Sequence, residues 1–271
     1  MVEQFFSLFI KISDVSSASE IIMGEKQAFM KKFKKNLYKI FREELFSPIK
    51  TCNVCGREIF DGEFLCEDCM RKVDFLGDEI CEKCGRPNKQ KPCVCASCKK
   101  HSFVDRSRSL FSYEGVGETL VKKLKYDDGR YLSALLAEML KNVYLKNYFT
   151  PDVITFVPMT EEALYERGYN QSRLLAEDLS ELVGVECTEI LVKNKDTAHQ
   201  AGLDFSERQK NLKGVYSLKK GIKVKDKKIL LVDDVLTTGA TADEIAKLLK
   251  ERGAKSVYLL TLASVALSKD K

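Results

Sequence analysis

The sequence predicts an α/β protein, a parallel sheet flanked by helices, preceded by a small cysteine-rich module. Three observations carry this prediction. The first is the run 229–241, where Ile229, Leu230, Leu231 and Val232 lead into Asp233 and Asp234, then Val235 and Leu236, then Thr237, Thr238, Gly239, Ala240 and Thr241. Four apolar residues without polar alternation suit a strand buried on both faces of a parallel sheet. The second is the alternation of strand and helix patterns from residue 108 onward, which gives a Rossmann-like parallel sheet. The third is a repeat of cysteine pairs between residues 52 and 98, where nine of the ten cysteines fall.

At 271 residues the chain has room for one or two domains, and its net charge of +5 is too mild to argue for nucleic acid. No segment reaches ~18 uninterrupted apolar residues, so no transmembrane helix is expected. Residues 2–12 are partly apolar but carry Glu3 and lack a basic leader and a small-residue cleavage site, which argues against a secretory signal. Paired cysteines without such a signal point to metal rather than disulfides and to a cytoplasmic protein. The expected organisation is an N-terminal extension with an amphipathic helix over 1–48, the cysteine module over 49–104 and the α/β domain over 105–271.

In chain order, residues 1–30 are the least interpretable, and Met23 and Met30 each offer an alternative start. From Met30 to Phe46 the periodicity is helical, with Phe33, Leu37, Ile40, Phe41 and Leu45 on one face and Lys31, Lys32, Lys34 and Lys35 beside it. Such a basic amphipathic helix suits packing on its own domain; contact with a membrane or nucleic acid is the alternative.

Cys52-Asn53-Val54-Cys55-Gly56-Arg57 is followed by Cys66 and Cys69; Cys81-Glu82-Lys83-Cys84-Gly85-Arg86 is followed by Cys95 and Cys98. Both copies read CxxCGR, and the offset is 29 residues throughout. Each CxxC turn presents two thiolates, and tetrahedral Zn²⁺ wants four soft ligands. The glycine after each first pair lets the turn reach positive φ. Under the offset Cys93 aligns with Phe64, so it is a spare thiol, and each self-contained copy favours two tandem Cys₄ zinc ribbons over a cross-braced pair. His101 reads as a surface residue. Modules this small bury little core, so two structural zinc ions would supply most of their folding free energy.

The α/β part begins with a strand over 108–113. A helical pattern over 117–146 follows, broken near Asp127, Asp128 and Gly129. Next come a short buried strand over 153–157 ending at Pro158, helical periodicity over 161–182 and a strand over 189–192. The polar stretch 194–214 is long for a connection, and long loops in α/β domains are often functional. After the strand over 229–234 come a helix over 241–252 and a last strand over 255–262. Cys187 reads as a small buried hydrophobe.

The chemistry concentrates at the carboxyl ends of these strands, where open α/β sheets place ligands. Thr237, Thr238, Gly239 and Thr241 offer hydroxyls and approachable N–H groups at a helix start, which suits a phosphate. Asp233 and Asp234 suit vicinal hydroxyls or hydrated Mg²⁺. A phosphate site and a diol site five residues apart describe a phosphorylated sugar. Val157-Pro158-Met159-Thr160 ends a neighbouring strand. Arg167-Gly168-Tyr169-Asn170-Gln171 gathers a cation and two amides, and Thr197, His199, Gln200, Arg208 and Asn211 lie in the long polar stretch. Lys125 is either a ligand cation or a helix surface lysine.

The 229–241 run resembles the phosphoribosyl pyrophosphate (PRPP) signature of type I phosphoribosyltransferases. In that family the paired carboxylates face the ribose hydroxyls and the threonine–glycine loop holds the 5′-phosphate, roles the resemblance gives to Asp233 and Asp234 and to Thr237 through Thr241, with Val235 and Leu236 between them in the PRPP-binding run. With the double ribbon, Phe111 to Gly115, Leu124-Lys125-Tyr126, Val157-Pro158, Arg167 to Gln171, His199-Gln200, Arg208 and Asn211, the chain resembles the ComF family over about residues 45 to 264. These are bacterial phosphoribosyltransferase-like proteins tied to natural competence and DNA uptake. The family often has Phe where Tyr169 and Tyr216 stand here.

The resemblance implies a type I phosphoribosyltransferase-like sheet that binds PRPP with Mg²⁺. Residues 157–160, including Pro158 and Met159, would receive the pyrophosphate, and residues 194–213 would cover it. Arg167 and Arg208 are candidates for the diphosphate, since a guanidinium fork fits phosphate oxygens; a salt bridge or a solvated surface role is the alternative for each. Asp233, Asp234, Arg167 and Arg208 are the catalytic candidates. The implied activity is displacement of pyrophosphate from PRPP by an acceptor the sequence does not identify. The alternative is a non-catalytic competence accessory factor that binds single-stranded DNA and partner proteins, a competence helicase or translocase among them, with PRPP as a regulatory ligand or a relic.

Overall fold

The computed structural model describes residues 51–59, 64–88, 94–95, 98, 103–126, 129–195 and 214–266. The amphipathic helix expected over 30–46, Cys93, His101, Arg208 and the other loop residues 197–211 lie outside the described residues. The described residues within Cys52–Arg57 and Phe64–Lys271 belong to one compact unit.

Along that unit run α1 (Glu67–Arg71), β1 (Arg106–Ser112), α2 (Gly115–Lys125), a 3₁₀ turn (Gly129–Tyr131), α3 (Leu132–Lys146), β2 (Val153–Phe156), α4 (Glu161–Arg167) and α5 (Gln171–Val183). Then follow β3 (Leu191–Lys193), β4 (Tyr216–Leu218), β5 (Lys228–Leu236), α6 (Ala240–Glu251) and β6 (Ser256–Ser264). Four strands form a parallel sheet in the order β1-β6-β5-β2. The uninterrupted apolar run puts β5 in the interior of that sheet, between β6 and β2. Ile229 and Leu231 join Val257, Leu259, Ile245, Ala246 and Leu249 in a core shared with α6. Strand side chains alternate faces, so the fully buried Leu230 and Val232 turn to the other side, where α3 and α5 pack on each other and α5 lies on β5 and β2.

Both outer strands receive a short extra segment. Phe75 bridges Phe111 in antiparallel fashion, with Leu76 N–H donating to Leu110 at 3.1 Å and Ser112 N–H to Asp74 at 2.8 Å. Cys187 bridges Ile154 in parallel, with Ile154 N–H donating to Glu186 and Thr188 N–H to Ile154, both at 2.9 Å. These pairings satisfy backbone groups that an open edge would expose. Cys187 is half-buried, and burial pushes its thiol up to about 12.

Three expectations change. The helical pattern over 161–182 is two helices, because Gly168 ends α4 in the left-handed region and the Asn170 side chain caps α5 by accepting from Arg173 N–H. Hydrophobic periodicity continues through this corner and hides it. The strand placed at 189–192 is β3, and it pairs antiparallel with β4 in a separate hairpin, outside the parallel sheet. β4 itself, three residues after a polar stretch, leaves too short a pattern to read. Finally, β5 extends through Asp233 and Asp234 to Leu236, because Asp233 pairs with Thr261 and Leu236 with Ser264 of β6. The carboxylates therefore stand on a paired strand.

Candidate functional site

The first constellation is the cysteine module. The sulfurs of Cys52, Cys55, Cys66 and Cys69 lie within 4.8 Å of one another, as do those of Cys81, Cys84, Cys95 and Cys98. Cys55 and Cys66 sulfurs are 3.7 Å apart, and Cys84 and Cys95 are 3.8 Å apart. Four thiolates at ~2.3 Å from a tetrahedral zinc lie about 3.8 Å from each other, so both tetrads have the size and softness of a closed structural zinc site. Gly56 and Gly85 both take positive φ, at 72° and 68°, as the CxxCG turn requires.

The second copy is built into the sheet. Ser107 N–H of β1 donates to Lys83 at 2.6 Å, and Arg108 Nη1 donates to the Glu82 carbonyl at 3.0 Å. The first copy is joined through Asn53, whose side chain donates to Phe64 at 2.9 Å and accepts from the Tyr131 hydroxyl at 2.6 Å.

The second constellation lies at the carboxyl edge of the sheet. β2 runs parallel to β5 with Phe156 opposite Val232, so residues 157–160 leave the sheet beside Asp233. α5 begins at the same edge. Its Asn170 donates to the Val157 carbonyl at 3.0 Å, the Gln171 amide nitrogen donates to Asp234 Oδ2, and Ser172 Oγ donates to Asp233 Oδ1 at 2.9 Å. From α2, Lys125 Nζ reaches Asp234 Oδ1 at 3.1 Å. Asp234 is thus 5% exposed with both carboxylate oxygens engaged.

These environments separate the two carboxyls. Burial, then the neighbouring charge of Asp234, push Asp233 up to about 7, against the backbone N–H of Asp234, the Ser172 hydroxyl and Lys125. Burial alone would lower Lys125, but Asp234 and then Asp233 outweigh it and hold the ammonium above its ordinary range.

Arg167 does not project freely. Its Nη1 donates to the Gln171 Oε1 at 2.6 Å, and the guanidinium lies 5.3 Å from the centroid of the Tyr126 ring. The Gln171 amide therefore links Arg167 to Asp234, and the Tyr169 hydroxyl donates to the Leu124 carbonyl at 2.6 Å, holding α5 against the end of α2.

After β5, residues 237–239 turn through Gly239 at φ 90° into α6. Asp243 N–H donates to Gly239 at 2.9 Å. The side chain of Asp243, which could have competed with an anion at this helix start, is turned to the backbone N–H groups of Phe103 and Val104 at 2.9 and 3.3 Å.

Sequence reasoning named Asp233, Asp234, Lys125, Arg167, Gln171, Pro158, Met159 and the 235–241 loop, and all of them lie along this edge. It missed Ser172, which nothing but its place after Gln171 could have flagged. It also missed Arg86, which stood in the sequence only as the last residue of the second CxxCGR turn. Arg86 is 3% exposed and its Nη2 donates to the Thr237 carbonyl.

A double zinc ribbon domain model matches residues 43–101, and a phosphoribosyl transferase domain model matches residues 170–270. The competence protein ComFC of Streptococcus pneumoniae is 30% identical over 203 residues, covering 74% of this chain and 88% of that protein. The chain belongs to the ComF family. Two further relatives are similar over a comparable extent. The DNA utilization protein YhgH of Salmonella typhimurium is 32% identical over 205 residues, 73% of this chain and 89% of that one. Competence protein F of Haemophilus influenzae is 29% identical over 209 residues, 73% and 90%. This ComF-family chain therefore joins a double zinc ribbon to a phosphoribosyltransferase-type domain. Among its described residues no helix is long and apolar enough to cross a membrane.

Proposed function

We propose that this chain binds PRPP as its Mg²⁺ chelate at 233–241 and 157–160, and transfers the phosphoribosyl group to an acceptor in the service of DNA uptake and utilization. The observation that carries the reading is the carboxylate pair at the end of the central strand, fastened by Lys125, Gln171 and Ser172 immediately before a threonine–glycine loop that opens a helix.

Asp233 and Asp234 would accept hydrogen bonds from the ribose 2′ and 3′ hydroxyls, with Lys125 Nζ, 3.1 Å from Asp234 Oδ1, fixing that side chain at the sheet edge. Thr237 to Thr241 would take the 5′-phosphate on N–H groups and hydroxyls at the start of α6. The anomeric carbon would then face residues 157–160, where the diphosphate leaves. Hard oxygen donors suit a hydrated Mg²⁺, so Asp233 and the diphosphate would hold it, and the chemistry it would supply there is neutralisation of charge on the leaving group. Displacement at such a carbon needs position and electrostatic stabilisation more than a strong base. Arg167, held by Gln171 and Tyr126 beside this edge, would be the second side-chain cation of the site after Lys125.

The test is calorimetric titration of the zinc-loaded protein with PRPP and Mg²⁺, beside an Asp233→Ala, Asp234→Ala double variant. Saturable binding that disappears in the variant is expected, and pyrophosphate release would then report the acceptor. No binding by the intact chain would reject the reading and move the weight to an accessory role with single-stranded DNA or a competence helicase.

A further inference from the structure

The two zinc turns share the motif CxxCGR, yet only one of its arginines reaches the sugar-phosphate edge. Arg86 lies buried between the second ribbon and the loop after β5. Its Nη2 donates to the carbonyl of Thr237, while its Nε, also buried, has no hydrogen-bond partner among the described residues. A Cβ added to Gly239 would sit 3.6 Å from the same Nη2, so the guanidinium lies against the backbone of the loop at two points, Thr237 and Gly239.

From this contact we infer that Arg86 is a positioning residue of the phosphate loop, and that the second zinc ribbon is thereby part of the anion site. A trans peptide is planar, with its C=O and N–H on opposite sides. When Arg86 draws the Thr237 carbonyl towards the ribbon, it turns the Thr238 N–H away from the ribbon. The fixed positive charge of arginine also stands directly behind a loop built to receive an anion, in a buried setting where screening is weak.

The ribbon holds Arg86 in place. The Arg86 carbonyl accepts from Cys81 N–H at 2.8 Å, and Gly85 N–H donates to Cys81 at 2.9 Å. The arginine thus hangs from the turn that presents Cys81 and Cys84 to the second metal. Thr237 itself is exposed, and its orientation depends on a partner 151 residues away in sequence.

This inference rests on the phosphate reading of the 237–241 loop, so its test has two readouts. Amide hydrogen exchange over 236–242 is compared in the wild type, Arg86→Gln, Arg86→Lys and Arg57→Gln, all zinc-loaded and without ligand; PRPP titration with Mg²⁺ is run on the same four proteins. The expected result is exchange about tenfold faster or more over 236–242 in Arg86→Gln. Arg86→Lys should fall between, since it keeps the charge without the fork, and Arg57→Gln should match the wild type. Zinc content should stay at its wild-type value in all four. PRPP affinity should fall by about tenfold or more in Arg86→Gln, in the same order across the series. Unchanged exchange in both Arg86 variants overturns the inference whatever PRPP does. If Arg86→Gln does not fold, Arg86→Lys decides alone. Changed exchange with no PRPP binding by the wild type keeps the strut and rejects the PRPP reading.

Discussion

The two ribbon copies carry the same ligands and the same glycine, but different neighbours. In the first, Arg57 is a surface residue, its side chain 64% exposed and paired with Asp68 at 2.5 Å. In the second, the position equivalent to Asp68 is Ser97, and Arg86 turns inward to Thr237. A Cβ at Gly56 would meet open space; at Gly85 it would lie 2.5 Å from the Ser107 carbonyl. The repeat thus specifies the same sulfur tetrad in both copies, whereas contact with the sheet brings only the second copy's arginine to the loop after β5. Metal ligation is local and travels with the motif; the use of a side chain beyond the metal depends on what the fold brings near it.

The largest effect should come from breaking each tetrad in turn. Cys52→Ser and Cys81→Ser should each lower bound zinc from two equivalents to one by metal analysis, because each tetrad is one closed site. Only Cys81→Ser should speed amide exchange over 236–242. Equal exchange in the two variants would break the comparison.

Alanine at the paired glycines should sharpen it. Both positions hold positive φ, which costs about 1–2 kcal/mol for a residue with a Cβ. Gly56→Ala should cost that and no more. Gly85→Ala adds a backbone clash with Ser107 and should cost roughly 3 kcal/mol or more, read from the denaturant midpoint.

The strand that leads into this loop has a titration of its own. Asp233 is raised to about 7 by burial and by Asp234, so the folded chain disfavours its carboxylate. That group therefore costs folding stability progressively as pH rises from about 4 to about 7. A ligand that needs the carboxylate should bind about tenfold tighter at pH 8 than at pH 6. Asp233→Asn should flatten this part of the profile, leaving only the titration of PRPP itself, and Arg57→Ala should leave it intact.

The smallest expected effect is that of Arg57→Ala on stability. An exposed ion pair is screened by water and salt, so its denaturant midpoint should coincide with the wild type's.

Much of the site was legible in the sequence because its residues are contiguous. A buried strand, two carboxylates and a helix-opening turn follow one another within 229–241, and their order alone predicts a diol and an anion side by side. The cysteine tetrads were legible because a 29-residue offset pairs the ligands without reference to the fold. The corner at Gly168 was not, since apolar periodicity runs across it, and β4 was not, since three residues carry no period. Ser172 could not be separated from any other serine near a helix start, because its partner Asp233 is 61 residues away.

The sequence by itself determined the parallel sheet, the two zinc tetrads and the chemistry at the end of β5, because buried strands, metal turns and helix starts are written in neighbouring residues. Only the tertiary structure decided how unlike the two carboxyls are, with Asp234 fastened by Lys125 and Gln171 and Asp233 raised by burial. It alone also separated Arg57 from Arg86. Burial, neighbouring charge and hydrogen-bond partners come from residues tens to more than a hundred positions apart, and a one-dimensional pattern holds no record of those distances.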